Sequence, residues 1–382
     1  MDFLTIVQAS VGGATMYVLA FLVALTVIVF IHEMGHFLVA RWCGVTVDAF
    51  SIGFGKEITG WVDKRGTRWK LCWIPLGGYV KFKGDANAAS LPDAAAMTNA
   101  ASEPGNFHGK PIWQRAAVVA AGPVANFILA IFIFAAAFMI VGQPSAEPRV
   151  DVVREGSAAE RAGIQPGDLV ISIDGKPIKR FMDLQQAVIA RAGVELAVVI
   201  DRAGTILNLK IVPDLREEPD GFGGKIRIGQ LGVQHNAEGG DKFERLGPLE
   251  AVNAGVERTW FIVETTFRYL AKLITGREST DQLGGFISIG KAAGDAASLG
   301  FFQFVNVVAF LSVSIGLINL FPIPMLDGGH LVYYALEAVR GKPLGPKAQE
   351  WGFRIGFSFV ILLMVVGTWN DLVRIATMAL GS

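Results

Sequence analysis

Charge is scarce in this chain. Of 382 residues only 18% are Asp, Glu, Lys or Arg, against about 25% in an ordinary soluble domain. The 34 basic residues balance the 34 acidic ones, so no basic surface suggests a nucleic-acid partner. Cysteine is scarcer still. Cys43 and Cys72 are the two present, too few for a disulfide framework and not spaced as a C-x-x-C metal pair. Histidine occurs five times. What fills the chain instead is apolar: 52% of residues are hydrophobic and mean hydropathy is +0.45, so part of it belongs in lipid.

Four apolar stretches approach or exceed the roughly 20 residues that span a hydrocarbon core as a helix. They predict a first transmembrane helix over 1–43, a second over 115–141, a third over 301–340 and a fourth over 352–379. A cytoplasmic loop over 44–114, a soluble domain over 146–214 and a linker with a juxtamembrane amphipathic helix over 215–300 lie between them. The expected fold class is a polytopic α-helical membrane protein of about four transmembrane helices, with an inserted α+β domain and a membrane-associated β-hairpin region. Lysine and arginine concentrate in the loop after span one (Arg41 to Arg115) and the loop after span three (Arg340, Lys342, Lys347), which places both on the cytoplasmic side. The termini and the soluble domain then face the periplasm. The first segment lacks the basic start and small-residue cleavage site of a removable signal peptide.

Span one ends in FIHEMGHF, residues 30–37. Ionisable groups at membrane depth are costly and mark function. His32 and His36 are four apart, so on a helix they share one face, one turn apart. Glu33 stands beside the first histidine. This is the H-E-x-x-H arrangement of zinc hydrolases, two imidazole ligands plus a base. A catalytic zinc takes a third protein ligand, and two candidates stand in NLFPIPMLDGGH at the end of span three: Asp327 and His330. Pro322 and Pro324 break the helix there, and Gly328 and Gly329 are expected to let the chain turn sharply. Freed backbone groups at that depth imply a water-filled cavity.

HEMGH in span one, AGPVANF opening span two, GGFISIGKAAG before span three and NLFPIPMLDGGH at its end, in that order, resemble the site-2 protease family of zinc intramembrane proteases. Within that family the chain resembles the bacterial regulator of sigma-E protease group, across nearly the full length. That resemblance implies Zn2+ bound by His32, His36 and Asp327, with Glu33 as catalytic base. It implies substrate contact by Asn319, and it hints at a substrate role for Asn126, whose bland reading is a bond within the bundle. It also implies a bacterial inner-membrane location, and single-span membrane proteins such as anti-sigma factors as substrates, cut after an earlier outer cleavage. A membrane zinc transporter and a non-catalytic scaffold are the alternatives from other classes.

A substrate helix must unwind to be cut, and an exposed strand edge near the metal would hold it extended. The loop GFGKEITGWVDKRGTRWKLCWIPLGGYVKF alternates like strands joined at a Lys-Arg-Gly turn. It predicts a hairpin dipping into the membrane, as family members have. Gly53 and Gly55 in it, with Pro322, complete the candidate substrate contacts. REGSAAERAGIQPGDLVISIDGKPI looks like a PDZ domain of the bacterial protease type, able to take a peptide or substrate tail or to gate by size. One such block is found where well-known members have tandem ones. Leu249, Val252, Val256, Trp260, Val263, Phe267, Leu270 and Ile274 form one apolar helical stripe, suited to a membrane surface or to packing. His108 and His235 read as solvated, and DANAASLPDAAAMTNAASEPGN as flexible.

Overall fold

The computed structural model describes residues 3–85, 103–144, 146–189, 191–219, 225–235, 243–276 and 284–380. In chain order its main elements are α1 (Phe3–Trp42), β1 (Val47–Val62), β2 (Arg68–Phe82), α2 (Ile112–Ile140), β3 (Leu169–Ile173), α3 (Phe181–Ile189), β4 (Leu196–Arg202), β5 (Thr205–Ile211), β6 (Asp214–Pro219), β7 (Lys225–Gln230), α4 (Pro248–Ile274), α5 (Phe286–Leu299), α6 (Phe301–Asn319), α7 (Asp327–Arg340) and α8 (Pro346–Leu380). The chain divides into one compact unit of Met1–Phe134, Gly255–Val263 and Leu283–Ser382, and a second of Ala135–Ala254 and Glu264–Gln282.

Four helices among the described residues are long and apolar enough to cross a membrane: Thr15–Trp42, Ile112–Ile140, Phe301–Asn319 and Lys347–Thr377. The chain is thus a polytopic helical membrane protein. Helices are the natural solution there, because lipid offers no partner for an open backbone group. The third span is shorter than the sequence implies. It stops at Asn319, and a separate helix, α7, begins at Asp327.

In the first unit, α1 packs against α5 and α6 around Ala24, Ile28, Val308 and Leu311. Small residues let α5 approach: a Cβ at Gly294 would overlap the Tyr17 ring, and the Tyr17 hydroxyl donates to Asp295 at 2.7 Å. The start of α5 is held by Asp371 of α8. Its carboxylate accepts from the backbone N–H groups of Gly285, Ile287 and Ser288 at 3.0–3.1 Å, and from the Ser288 hydroxyl. A carboxylate at a helix N-terminus meets both the unpaired donors and the positive dipole end. Asp371 is 2% exposed, so Asp371→Leu strands buried donors and should destabilise the chain by about 3 kcal/mol. Thermal unfolding in detergent measures this; an unchanged midpoint would refute the capping role.

The hairpin of β1 and β2 carries more pairings than a simple ribbon. Residues 68–71 pair with 49–52 on one side and 59–62 on the other, while 49–52 pair also with 78–81. The order across the sheet is therefore 57–62, 68–74, 49–54, 78–82, which leaves 78–82 at an edge. Bulges make this folding back possible. Gly53 and Gly55 sit at φ +85° and +86° within them, a region that favours glycine. Trp61, Trp73 and Ile74 on the hairpin are largely exposed. His108, expected to be solvated, is instead 2.9 Å from the buried Asp85 carboxylate.

The second unit is α+β. Strands order as Lys176–Pro177, β3, β4, β5, all antiparallel, and α3 covers a core that includes Val150, Ile173, Leu184, Leu196, Ile200 and Ile211. The turn at Asp174-Gly175 has φ +49° and +75°. The stretch expected to be a linker from 215 onward is strand over 215–219 and 225–230. There β6 and β7 form an antiparallel hairpin, Asp214 opposite Gln230. Its composition is poor in apolar residues, and tertiary contact selects the strand. A Cβ at Gly229 would come 2.3 Å from the Val188 carbonyl, so β7 backbone lies directly on the end of α3. His235, also expected to be solvated, has Nδ1 2.7 Å from Asp151, its ring against Phe181. The Ala-rich stretch read as flexible lies, over 86–102, outside the described residues.

Asp168 anchors this unit. Its side chain is 1% exposed, and Arg202 grips both oxygens at 2.8 Å while the Gln165 N–H adds a third bond at 2.8 Å. Burial pushes the carboxyl up, but these donors outweigh it and hold it below its ordinary value of 3.8. A carboxyl lowered in the folded state adds stability above that ordinary value and loses it as pH falls through the folded one. Asp168→Asn should destabilise the unit by about 2 kcal/mol at pH 7, with the difference from wild type shrinking below pH 4. Hydrogen exchange of the β4 amides across that range measures it; a pH-independent difference would mean that the Asp168 carboxylate is not coupled to folding.

Candidate metal centre and active site

Three elements of the first unit converge on the H-E-x-x-H stretch. His32 and His36 lie on α1 with ring centroids 4.8 Å apart, as four-residue helical spacing dictates. Asp327 is the first residue of α7. Its Oδ2 is 3.1 Å from His32 Nε2 and 3.5 Å from His36 Nε2, and the two Nε2 atoms are 3.2 Å apart. All three donor atoms fall within 4.8 Å of one another, the one such group of three among the described residues. His330 lines the same cavity but is not in that group.

The turn that delivers Asp327 corrects one expectation. Positive φ falls on Met325, at +99°, a strained position for a residue with a side chain. Gly328 and Gly329 lie inside α7, and their role is close approach. A Cβ at either would come 2.3 Å from backbone carbonyls of 320–323. Farther along α7, Glu337 takes a two-pronged grip from Arg115 at 2.7 and 3.1 Å. That pair ties α7 to the start of α2.

Helix α2 presses on the other side. A Cβ at Gly122 would lie 2.2 Å from His36 Nε2 and 2.8 Å from His32 Nε2, and one at Gly35 would lie 2.3 Å from the Ala121 carbonyl. These glycines let α1 and α2 meet at the histidines. From α2, the Val118 carbonyl accepts from His36 Nδ1 at 2.8 Å. A proton on Nδ1 leaves the Nε2 lone pair for a metal. His32 Nδ1 faces the Asn126 side-chain amide at 3.3 Å. Two imidazole nitrogens and a carboxylate oxygen, with partners behind both rings, are the donor set of a catalytic zinc site. The residues present fit that metal.

A cavity of about 260 Å³ opens onto these groups. One wall carries His32, Glu33, His36, Asn319, Asp327 and His330, and the other Gly77, Gly78, Tyr79, Val80 and Phe82 of β2. Gly78 passes so close that its Cβ would come 3.2 Å from Glu33 Cγ. So Asn319 does reach the cavity, whereas Gly53, Gly55 and Pro322 are not in its wall. The two glycines serve the bulges of β1. Asn126, read either as a bond within the bundle or as a substrate contact, is 0% exposed and stands behind His32. The sequence reading named this loop as the source of a strand edge but singled out Gly53 and Gly55 in it; the residue it passed over is Gly78, before YVKF, where a side chain would meet Val29 and Glu33 of α1.

A second concave surface lies in the other unit, a groove of about 230 Å³ between α3 and residues 228–233, lined by Leu184, Val188, Ile228 and Leu231.

Histidines four apart on a helix long and apolar enough to cross a membrane, with an aspartate at a broken helix and a glutamate in one cavity, fit the donor set of a zinc hydrolase. The family model described as Peptidase family M50 matches residues 20–363, and the chain belongs to that family. It is 52% identical over 355 residues to a Rhizobium meliloti protein named "Putative zinc metalloprotease", covering 92% of this chain and 95% of the other. It is 40% identical over 387 residues to the metalloprotease MmpA of Caulobacter vibrioides (95% and 96% covered). To the regulator of sigma E protease of Salmonella typhi it is 31% identical over 454 residues (93% and 98%). The protein is a zinc metalloprotease of the membrane, which favours hydrolysis over the transport and scaffold alternatives.

Proposed function

We propose that this chain is an intramembrane endopeptidase that cuts single-span membrane proteins, of the anti-sigma-factor kind, after an outer cleavage has trimmed them. The observation that carries the proposal is the cavity itself. Three metal-donor groups and Glu33 share one wall, and the 78–82 strand, at the sheet's edge among the described residues, forms the other. His32, His36 and Asp327 hold zinc; bound there, it supplies Lewis-acid polarisation of the attacking water and the scissile carbonyl. Glu33 takes the proton from that water at its carboxylate and returns it to the leaving amine nitrogen. The 78–82 edge pairs with an unwound substrate segment and keeps it extended, and Asn319 at the end of α6 contacts it from the opposite side. The broken α6–α7 junction gives water a route that lipid would otherwise deny.

The second unit acts as a PDZ-like domain on the periplasmic side of a bacterial inner membrane. Its α3 groove takes a peptide tail or excludes bulky substrates. Proteoliposomes holding the wild-type chain, given a tagged single-span substrate with and without its outer domain, test the reading. Cleavage within the span of the trimmed form, stopped by a zinc chelator and restored by zinc, is expected. Cleavage confined to soluble loops of the substrate would overturn it.

A further inference from the structure

We propose that Asn126 is the positioning residue that fixes the tautomer of His32: its side-chain carbonyl accepts the Nδ1–H, so that Nε2 faces the metal as a lone pair. The inference rests on the metal-centre reading above.

A neutral imidazole carries one proton on one of two nitrogens, and the partner of the first decides the state of the second. For His36 the partner is the Val118 backbone carbonyl, which can only accept. For His32 the partner is an amide, which has both a donor and an acceptor end. With its nitrogen toward His32 at 3.3 Å, the Asn126 Oδ1 is buried with no hydrogen-bond partner among the described residues. An amide N–H on Nδ1 would also push the imidazole proton to Nε2, where it points at Asp327 Oδ2 and His36 Nε2. A half-turn of the amide brings the acceptor to His32 and keeps the imidazole proton on Nδ1. Oδ1 then pairs with Nδ1–H, and all three donor atoms offer lone pairs to one point. Oxygen and nitrogen ends of such an amide are assigned by their network, and this network assigns oxygen to His32.

The fold holds this residue rigidly. Asn126 is 0% exposed. Its backbone carbonyl accepts from the Ser312 hydroxyl of α6 at 2.9 Å, and a Cβ at Gly316 would come 3.1 Å from Asn126 Cβ. Asn126 is therefore clamped between α1 and α6, with its side chain aimed at one nitrogen.

The test is zinc affinity, measured on the full chain in detergent by competition with a chromophoric chelator, with Co2+ absorption as a second readout. Asn126→Asp keeps an acceptor and has no donor when ionised. It should bind zinc within about threefold of wild type or tighter and give the wild-type Co2+ spectrum. Asn126→Leu keeps the volume, excludes water and removes the acceptor. It should lose about 10–100-fold, as outer partners of ligand histidines do. If Asn126→Asp itself loses tenfold or more, the native amide donates to His32 and the inference fails; that outcome decides even where the Leu variant does not fold. Equal affinity in wild type and Asn126→Leu would also overturn it. Failure of the underlying reading looks different: wild type would then hold no zinc that His36→Ala removes.

Discussion

Glu33→Gln should lower intramembrane cleavage by about 10³-fold or more, within the 10²–10⁴ range of a positioned general base, while zinc stays bound. Gln has the shape of Glu but cannot take up a proton. Glu33 lines the cavity beside both histidines, and Gly78 passes close over its side chain, so the side chain has a fixed place from which to act. None of the three donor groups His32, His36 and Asp327 is altered, hence the expectation of full metal content. Single-turnover cleavage in proteoliposomes, with zinc measured on the same sample, separates the two effects. Activity within tenfold of wild type would move the base elsewhere, and His330, in the same cavity wall, would be the next to examine.

Gly122→Ala should empty the metal site while leaving the helices folded. The added methyl would stand 2.2 Å from His36 Nε2 and 2.8 Å from His32 Nε2, closer than real atoms approach. Neither neighbour can give way easily. His36 is held from behind by Val118 and His32 by Asn126, so α1 and α2 must part. The substitution favours the helix itself by roughly 0.5–1 kcal/mol, which argues against a general folding defect. Zinc content below a tenth of wild type is expected, with helicity by circular dichroism unchanged. Wild-type zinc content would mean that the histidines rotate away from α2 to bind metal, and the convergence described above would not be the working site.

Periodicity along a single element was legible in the residues. Histidines four apart must share a helix face, and prolines after Asn319 must end a helix. The alternating stretch around the Lys-Arg-Gly turn must form strands, and each was found in place. The choice between Asp327 and His330 was not legible, because both lie near the start of one helix and only its seating against α1 brings Asp327 to the histidines. Gly53 and Gly55 drew attention as glycines in a hairpin. What a glycine does depends on what crosses it, and the crossings with α1 belong to Gly78 and Gly122. Asn126 read as a bond within the bundle, with a substrate role hinted at by resemblance alone, and it is sealed behind His32.

By itself, then, the sequence determined a polytopic membrane chain, a helix with the H-E-x-x-H spacing and an acidic residue at a broken helix. Composition and 3.6-residue spacing are local properties, and a membrane penalises any other use of them. Tertiary structure alone decided which groups meet. The Asp371 cap on α5, the Asp85–His108 pair, the β2 edge opposite Glu33 and the amide behind His32 each join segments distant in the chain. Their existence turns on how closely distant segments pack, which residue order along the chain does not specify.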